Sequence, residues 1–475
     1  MTDAIRKQYV CVIGLEVHAE LKTGTKIFCR CKTDFGESPN TNICPVCMGY
    51  PGTLPVLNEK VVEFAVKAAT ALGCNINKAS RFDRKNYFYP DLPKGYQITQ
   101  FFHPIAEHGF LTVKGENGEK RIRIARLHME EDAGKLIHEN VISKADFNRC
   151  GVPLIEIVTE PDMSSADEAV QFLKKLRLTL LYTGVSDCRM NEGSLRCDVN
   201  LSVRKKGTSE LGNKVEVKNI NSFQFAKTAM EYEFERQTAI IENGGSVEPE
   251  TRRFDEKTGT TISMRKKENA ADYRYFPEPD LGTLSLTDKM IEEYTKNIPM
   301  LPDERIKLYT ETYSLSEDDA MSIISEPEFA FLFDRAAVSC KSHKTLVNLI
   351  TTECFRLKKE KGTMPERAEN LAVLSDMMND GEIGSTNAKK VLSALWESSY
   401  DAKTYAKENN MLQINSKDEL IILAKKAIEQ NPKSVNDYKA GKEAALKALI
   451  GKVMAETGGR ANALILTEIL IELIK

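Results

Sequence analysis

The sequence has no apolar run long enough to cross a membrane and no start that looks like a secretion signal. Its longest apolar run near the end, Ala463 to Leu466, gives way to Thr467 and Glu468, far short of the ~20 residues that a bilayer requires. Near the start, Glu16 and His18 interrupt the apolar stretch that a signal peptide would need. We therefore expect a cytoplasmic protein that has no association with membranes.

The sequence also lacks an excess of positive charge and a phosphate-binding loop of the common kind. Its formal net charge is -3, which excludes a surface coated uniformly in cations. RNA binding stays open, because basic residues can be concentrated in one channel or tail. No Gly-x-x-x-x-Gly-Lys-Ser/Thr segment occurs, so a nucleotide would not bind through a P-loop.

Eleven cysteines occur, yet their setting does not indicate a disulfide framework. Without an export signal, free or metal-bound thiols in a reducing compartment are expected instead. Four thiols form two close pairs, Cys29 with Cys31 and Cys44 with Cys47, joined by a turn-rich stretch. Such pairs can direct four thiolates to one ion, whereas a redox Cys-x-x-Cys motif would leave the first pair unexplained. The pattern predicts a structural zinc knuckle over 29–47, and four unrelated cysteines are the alternative.

The length and the breaks along the chain predict several domains. A chain of 475 residues that is 41% hydrophobic is expected to form roughly two to four domains. Pro299 and Pro302 end a half rich in strand alternation, and a polar connector follows at 407–417. We expect α+β architecture, with a mixed or antiparallel sheet domain over 1–294, an all-α domain over 295–407 and a small helical tail over 408–475.

The sequence predicts one helix at roughly 165–183 and indicates both where it begins and where it ends. Ser165 and Glu168 have the spacing of a capping box, and Gly184 is a suitable terminator. Between them, apolar residues such as Phe172 and Leu176 recur at helical spacing. This pattern predicts an amphipathic helix that packs on the core.

Acidic residues occupy the polar positions of several predicted strands. In Val12 to Leu21, apolar residues alternate with Glu16, His18 and Glu20, which is the period of a half-buried strand. Comparable positions in three further segments hold Glu131, Asp198 and Glu216. Carboxylates from neighbouring strands, together with one imidazole, could surround a hard cation. From periodicity alone, solvated charges on an outer face are the simpler interpretation of these residues.

Two segments mix cations with aromatic residues. They are Arg84 to Asp91 and Asp272 to Asp280, and both contain proline and are expected to form loops. Cations beside aromatic rings suit a flipped-out terminal base and its phosphates. Two aromatic-anchored loops that pack on the core explain the pattern equally well.

Five motifs, taken together and in order, resemble the GatB family, whose members are subunits of the glutamine-dependent aspartyl/glutamyl-tRNA amidotransferases. The resemblance extends over the whole chain and is more specific than any one motif. The motifs are Gly14 to His18, Phe82 to Asp91, Leu127 to Lys135, Glu192 to Asp198 and Asp272 to Asp280.

The resemblance implies a cradle-like catalytic domain, a helical domain and a tail that touches tRNA. Its implied activity is the conversion of Glu-tRNA(Gln), and often Asp-tRNA(Asn), to the amide form. A GatB-type chain would phosphorylate the side-chain carboxylate with ATP and Mg²⁺, and an amidase-family glutaminase subunit would release ammonia from glutamine. A small third subunit would hold these two together. This chain lacks the Gly-Gly-Ser-Ser stretch of the amidase family, so a separate glutaminase is required.

The resemblance also assigns candidate residues by motif. It implies that Glu16, His18 and Glu131, with Asp198 and Glu216 as neighbours, line the Mg²⁺ and ATP site, and that Lys85 or Lys135 assists them. The two thiol pairs look like those of zinc-binding members. Together with the basic and aromatic segments, the resemblance implies these tRNA contacts: Arg84, Tyr87, Tyr89, Arg274, Lys452 and Arg460.

Two other functions stay open at this point. One is a non-catalytic RNA-binding scaffold with a structural zinc, which would need the basic loops but not the acids. The other is a free-standing kinase-like phosphotransferase that uses ammonia unaided. ATP turnover would separate the first from an amidotransferase, and a requirement for added subunits would separate the second. The sequence does not indicate which misacylated tRNA is the substrate.

Overall fold

The computed structural model describes residues 7–116, 118–139, 141–266 and 273–474. The chain divides into two compact units, Met1–Leu301 and Pro302–Lys475. The first unit combines sheet and helices and the second is helical, so the expected α+β class is confirmed. The finer division into 1–294, 295–407 and 408–475 stays a prediction.

The first unit is built around a nine-stranded sheet. The strands of this unit are β1 Tyr9–Glu20, β2 Asn75–Ile76, β3 Ala79–Ser80, β4 Asp83–Asn86, β5 Tyr96–Thr99, β6 Ala106–Gly115, β7 Gly118–Glu131, β8 Lys135–Glu139, β9 Ile142–Asp146, β10 Pro153–Thr159, β11 Leu195–Lys205, β12 Val215–Lys218, β13 Glu250–Asp255, β14 Thr260–Lys266, β15 Phe276–Pro277 and β16 Leu284–Ser285. The strand order of the nine-stranded sheet is β14-β13-β12-β11-β1-β10-β7-β6-β2, and the central pairings of β1 with β10 and β11 are antiparallel. Only the pairing of β12 with β13 is parallel among the described strand pairs, which makes the sheet mixed.

Helices cover the apolar face of this sheet. Helix α1 is Glu59–Ala71, α2 is Ala166–Thr183, α3 is Phe223–Glu242 and α4 is Asp288–Thr295. In one core, Ile13, Leu15 and Val17 of β1 lie with Leu176 of α2 and Met230 of α3. Alternation along a strand sends successive side chains to opposite faces, so the residues between these positions point away from the helices.

Helix α2 confirms the boundaries predicted from its caps. The Ser165 side chain accepts a hydrogen bond from the backbone N–H of Glu168. Gly184 ends the helix in the left-handed region at φ 70°, a conformation that costs glycine little because it has no Cβ. Phe172 and Leu176 are fully buried, as their spacing predicted.

Two strands include residues of the acidic and basic motifs. Strand β7 continues through Glu131, so its alternation includes both Glu130 and Glu131. The segment from Arg84 begins within strand β4 instead of within a loop. This strand pairs with β5 and with β15, and Arg84 lies opposite Phe276. The two cation-and-aromatic segments are therefore neighbours in one small sheet.

The second unit is helical throughout its described elements, and a five-residue π-helix, Ile350–Cys354, joins the helices His343–Leu349 and Phe355–Lys361. Near the end of the chain, three helices share a core that includes Leu420, Leu449 and Leu466. The helices are α5 Pro302–Glu311, α6 Glu317–Ile324, α7 Pro327–Ala337, α8 His343–Leu349, α9 Phe355–Lys361, α10 Glu369–Asn379, α11 Ser385–Ala394, α12 Ala402–Glu408, α13 Lys417–Gln430, α14 Pro432–Lys439, α15 Glu443–Glu456 and α16 Ala463–Ile474.

Among the described residues, no helix combines the length and the apolar character that a membrane span needs.

Candidate active site

The polar face of β1 brings acids from four other strands together through the register of the sheet. Glu16 lies opposite Asp198 on β11, and His18 lies opposite Glu156 on β10. Because Glu16 and His18 are two residues apart, they project from the same face, roughly 6.5–7 Å from each other along the strand. Two groups of potential metal ligands form side by side on this face.

The first group consists of Glu16, Asp198 and Glu216, whose ligand oxygens all lie within 4.8 Å of one another. Asn200 donates to Glu16 Oε1 at 2.8 Å, which fixes one of the carboxylates. The Lys218 ammonium lies 2.5 Å from Asp198 and 2.8 Å from Glu216. Burial opposes the charged form of Lys218, but the two carboxylates outweigh it and raise the pKa of the amine. An all-oxygen set of this kind suits a hard cation.

The second group consists of His18, Glu130 and Glu156, with ligand atoms again within 4.8 Å of one another. His18 Nε2 lies 3.3 Å from Glu130 Oε1 and 3.7 Å from Glu156 Oε2. His128 Nε2 lies 3.0 Å from the same Glu156 oxygen. Two imidazoles and two carboxylates are therefore packed together on three adjacent strands.

Charge pairing dominates the titration of this second group. Burial favours the neutral form of His18, but Glu156 and Glu130 outweigh burial and raise its pKa to about 9. Burial alone would raise the pKa of Glu156, but the His128 and His18 charges lower it to about 2. Both carboxylates are thus held ionised, whereas His18 is held protonated and would have to release its proton to ligate a metal ion.

Glu131 does not join this face, which corrects the expected five-residue cluster. Because β7 continues through the acids, Glu130 points toward His18 and Glu131 points to the opposite side. Its carboxylate accepts from Lys94 Nζ at 2.5 Å and from the backbone N–H of Ile98 at 2.9 Å. Both members of this ion pair are buried, with side-chain exposures of 9% for Lys94 and 2% for Glu131.

Glu130 and Glu156, which the sequence reasoning missed, take the place expected for Glu131. A signal for Glu156 was available, since it alternates with the apolar residues Ile155 and Ile157 in the strand pattern. Glu130 would have followed from extending the alternation of β7 by two residues beyond His128.

Lys85 lies beside this second group. Its ammonium is 5.0 Å from the centre of the Tyr273 ring. Burial opposes the charged form of Lys85, yet the nearby Glu130 and Glu156 carboxylates and the two tyrosines Tyr275 and Tyr273 raise its pKa. Lys85 is therefore a cation next to the acids, and its part in catalysis stays a prediction.

Arg84 differs from the expectation that it meets phosphate. Its guanidinium forms two hydrogen bonds to the Glu278 carboxylate, at 2.7 and 2.9 Å, and one to Asp280 at 3.1 Å. It also lies over the Tyr96 ring, 4.2 Å from the centroid. Two acids already neutralise its charge, so Arg84 holds the two cation-and-aromatic segments together.

The other residues of these segments are placed differently from one another. Tyr87 is half-buried, with its ring 6.1 Å from that of Tyr273 in an edge contact. Tyr89 is exposed, and Arg274 lies 5.5 Å from the Phe88 ring. Asp272, the first residue of its motif, lies outside the described residues.

The four cysteines of the predicted knuckle converge. The sulfurs of Cys29, Cys31, Cys44 and Cys47 all lie within 4.8 Å of one another. Cys47 Sγ accepts the backbone N–H of Cys44 at 3.2 Å. A hydrogen bond from Cys29, that backbone N–H and the Lys26 charge lower the pKa of Cys47 to about 5. Four convergent thiols form a donor set that could hold a metal ion and that matches structural zinc chemistry.

Comparison with known proteins identifies the family. Residues 11–292 match the GatB/GatE catalytic domain family, and residues 331–474 match the GatB domain family. The chain belongs to the GatB family of tRNA amidotransferase subunits. A relative from Caldicellulosiruptor saccharolyticus, the B-type subunit of an aspartyl/glutamyl-tRNA(Asn/Gln) amidotransferase, is 49% identical over 98% of this chain and 99% of that protein.

Two further relatives of the same name are similar over nearly their whole length. The one from Carboxydothermus hydrogenoformans is 48% identical over 96% of this chain and 97% of that protein. The one from Thermotoga neapolitana is 49% identical over 98% of this chain and 99% of that protein. Both acid groups and the four cysteines lie within the matched GatB/GatE catalytic domain.

The expected tRNA contacts Lys452 and Arg460 lie within the matched GatB domain. Lys452 is exposed on α15. Arg460 is half-buried in the turn between α15 and α16, and its Nε donates to the Thr457 carbonyl at 3.0 Å.

Replacing Arg84 by methionine tests its structural role. The Glu278 side chain is 0% exposed, so Arg84→Met leaves a buried carboxylate without its bidentate partner. We expect a loss of about 3–5 kcal/mol in the free energy of unfolding, measured by urea titration. Arg123→Met is the matched control, because Arg123 pairs with Asp162 but is 62% exposed, and should leave the free energy of unfolding nearly unchanged. Equal losses in the two variants would contradict the assignment.

Proposed function

We propose that this GatB-family chain activates the side-chain carboxylate of a misacylated tRNA, Glu-tRNA(Gln) or Asp-tRNA(Asn), by ATP-dependent phosphorylation. The observation that carries the proposal is the pair of acid groups on one face of β1. Two sets of three ligands, centred on Glu16 and His18, lie side by side. This arrangement suits phosphoryl transfer, where catalysis consists mainly of positioning and of charge stabilisation.

The acid groups would hold Mg²⁺ together with the phosphates of ATP. Glu16, Asp198 and Glu216 supply oxygen ligands only, and His18, Glu130 and Glu156 supply two carboxylates and an imidazole. Magnesium bound there would neutralise charge on the transferred phosphoryl group. In this ligand set, Glu130 and Glu156 take the place of Glu131, which is paired with Lys94.

The proposed reaction has two steps, phosphorylation of the carboxylate and then formation of the amide. In the first, a carboxylate oxygen of the aminoacyl group attacks the γ-phosphorus, and ADP leaves. In the second, ammonia attacks the acyl phosphate, loses a proton and displaces phosphate, which leaves the amide. Lys85 and Lys218 lie beside the two acid groups and are the cations that we propose to orient the phosphates.

The name of the relatives implies a multi-subunit amidotransferase. We propose that an amidase-family glutaminase subunit supplies the ammonia and that a small third subunit joins the complex, with misacylated tRNA as the shared substrate. Because this reaction serves translation, the proposal places the complex in the cytoplasm.

We further propose that the cysteine knuckle holds one structural Zn²⁺. All four ligands would be protein thiolates, so the centre is closed and keeps no position for a substrate. Its convergent sulfurs support this proposal. The ion would secure the 29–47 segment, which contains few buried apolar residues of its own.

Metal analysis tests the knuckle. We expect one zinc ion per chain after purification under reducing, chelator-free conditions, and its loss in Cys44→Ser because one ligand is gone. Cys74→Ser, at a half-buried cysteine outside the knuckle, should retain the ion. Protein that contains no zinc under these conditions would overturn the zinc proposal and leave the acid groups unaffected.

Neutral amides at the acid groups test the catalytic proposal. In the assembled complex, Glu16→Gln and Glu156→Gln should abolish tRNA-dependent ATP cleavage, because an amide is a poor Mg²⁺ ligand. Glutamine hydrolysis should survive at least in part. The control is Glu139→Gln, an exposed acid on β8, which should behave as wild type. Normal ATP cleavage in both active-site variants would favour a non-catalytic scaffold.

We propose that the tail contacts the tRNA body. Residues 433–460 contain six basic residues against three acidic ones in a chain that is negative overall. If exposed Lys452 meets a phosphate, Lys452→Glu should weaken tRNA binding and reduce the slope of log affinity against log salt by about 1. The control Lys289→Glu changes an exposed lysine of the first unit. An unchanged salt slope would remove Lys452 from the interface.

A further inference from the structure

Lys26 is a lysine with no exposed surface, and it lies beside the cysteine knuckle. Lysine is almost never fully buried unless its amine is paired, because transferring a charge out of water is costly. A full set of partners is therefore the first thing to look for around this side chain.

The Lys26 amine has three partners for its three N–H groups. It donates to the Asn42 carbonyl at 2.7 Å and to the Phe147 carbonyl at 3.2 Å. Its third contact is to Cys47 Sγ at 3.7 Å. The two carbonyls belong to separate segments, the loop between the thiol pairs and the segment after β9.

The backbone of Lys26 contacts the other thiol pair. Its N–H donates to the Cys31 carbonyl at 2.9 Å, while its amine reaches Cys47 in the second pair. A single residue thus connects both thiol pairs from the buried side. The Lys26 stem passes close to Gly151, where an added Cβ would lie in van der Waals contact with Lys26 Cδ, at 3.4 Å.

The negative charge of a four-thiolate zinc centre gives these contacts of Lys26 a further consequence. Four thiolates around one Zn²⁺ leave a formal excess of two negative charges, which burial makes costly unless cations or N–H donors lie close. Among the described hydrogen bonds, Lys26 is the lysine that donates to one of the four sulfurs. The backbone N–H of Cys44 is a second donor to Cys47 Sγ.

We propose that Lys26 is a positioning residue for the zinc centre, which orients Cys47 and offsets the negative charge of the four thiolates. This inference rests on the proposed zinc site. It assigns Lys26 no contact with the substrate and predicts that zinc is held more weakly without its amine.

The test compares Lys26→Met with Lys32→Met in the full chain. Methionine keeps an unbranched apolar side chain in place of the lysine stem but removes the amine, and Lys32 is an exposed lysine of the same segment. By competition with a coloured zinc chelator, Lys26→Met should lower zinc affinity roughly ten- to a hundredfold. Lys32→Met should stay within twofold of wild type.

A second measurement separates positioning from packing. The increase in Tm between zinc-stripped and zinc-loaded protein should shrink in Lys26→Met, whereas a loss of packing alone would lower both forms equally. Zinc affinity within twofold of wild type, an unchanged Tm increase or an equal effect in Lys32→Met would overturn the inference. Wild-type protein that holds no zinc would instead overturn the zinc proposal itself.

If Lys26→Met does not yield folded protein, amine labelling of the wild-type chain tests the inference instead. An amine-specific reagent followed by peptide mass spectrometry reports the accessibility of each lysine. Lys26 should be protected in zinc-loaded protein and react at least tenfold faster after zinc removal, while Lys32 reacts at the same rate in both. Equal protection of Lys26 in the two forms would overturn the inference.

Discussion

The antiparallel register of β1 between β10 and β11 is the constraint on which the rest of the candidate site depends. Its apolar residues, such as Ile13 and Leu15, are buried against the helices, and this burial fixes which face the alternate residues occupy. A slip of one residue would expose the apolar side chains and bury the acids. The hydrophobic effect that stabilises the sheet therefore also sets the position of Glu16 and His18.

Within that frame, charge pairing decides which side chains remain available for a ligand. Arg84 is held by Glu278, and Lys94 is held by Glu131. Both pairs are largely excluded from water, so breaking either would leave an uncompensated charge. By contrast, the three carboxylates of Glu16, Asp198 and Glu216 converge beside one lysine, Lys218. An excess of carboxylates in a protected position is the arrangement that a cation can stabilise.

Lys26 links the knuckle to the sheet. The Lys26 amine reaches a carbonyl in the loop between the thiol pairs and another after β9, and Gly151 leads from there into β10. A metal in the knuckle would thus stabilise a segment next to the strand that carries Glu156. The acid groups and the cysteines are chemically different sites that share this structural support.

Local sequence patterns predicted several elements and the faces of their side chains. Alternation predicted β1, the caps predicted α2, cysteine spacing predicted the knuckle, and ordered motifs indicated the family. The sequence by itself could not decide which acids meet, because a period of two assigns a residue to a face but not to a neighbour. Only strand pairing brought Glu130 and Glu156 to His18 and sent Glu131 to Lys94. Likewise, only the tertiary structure paired Arg84 with Glu278, since ion pairs form between residues distant in sequence and no local pattern records them.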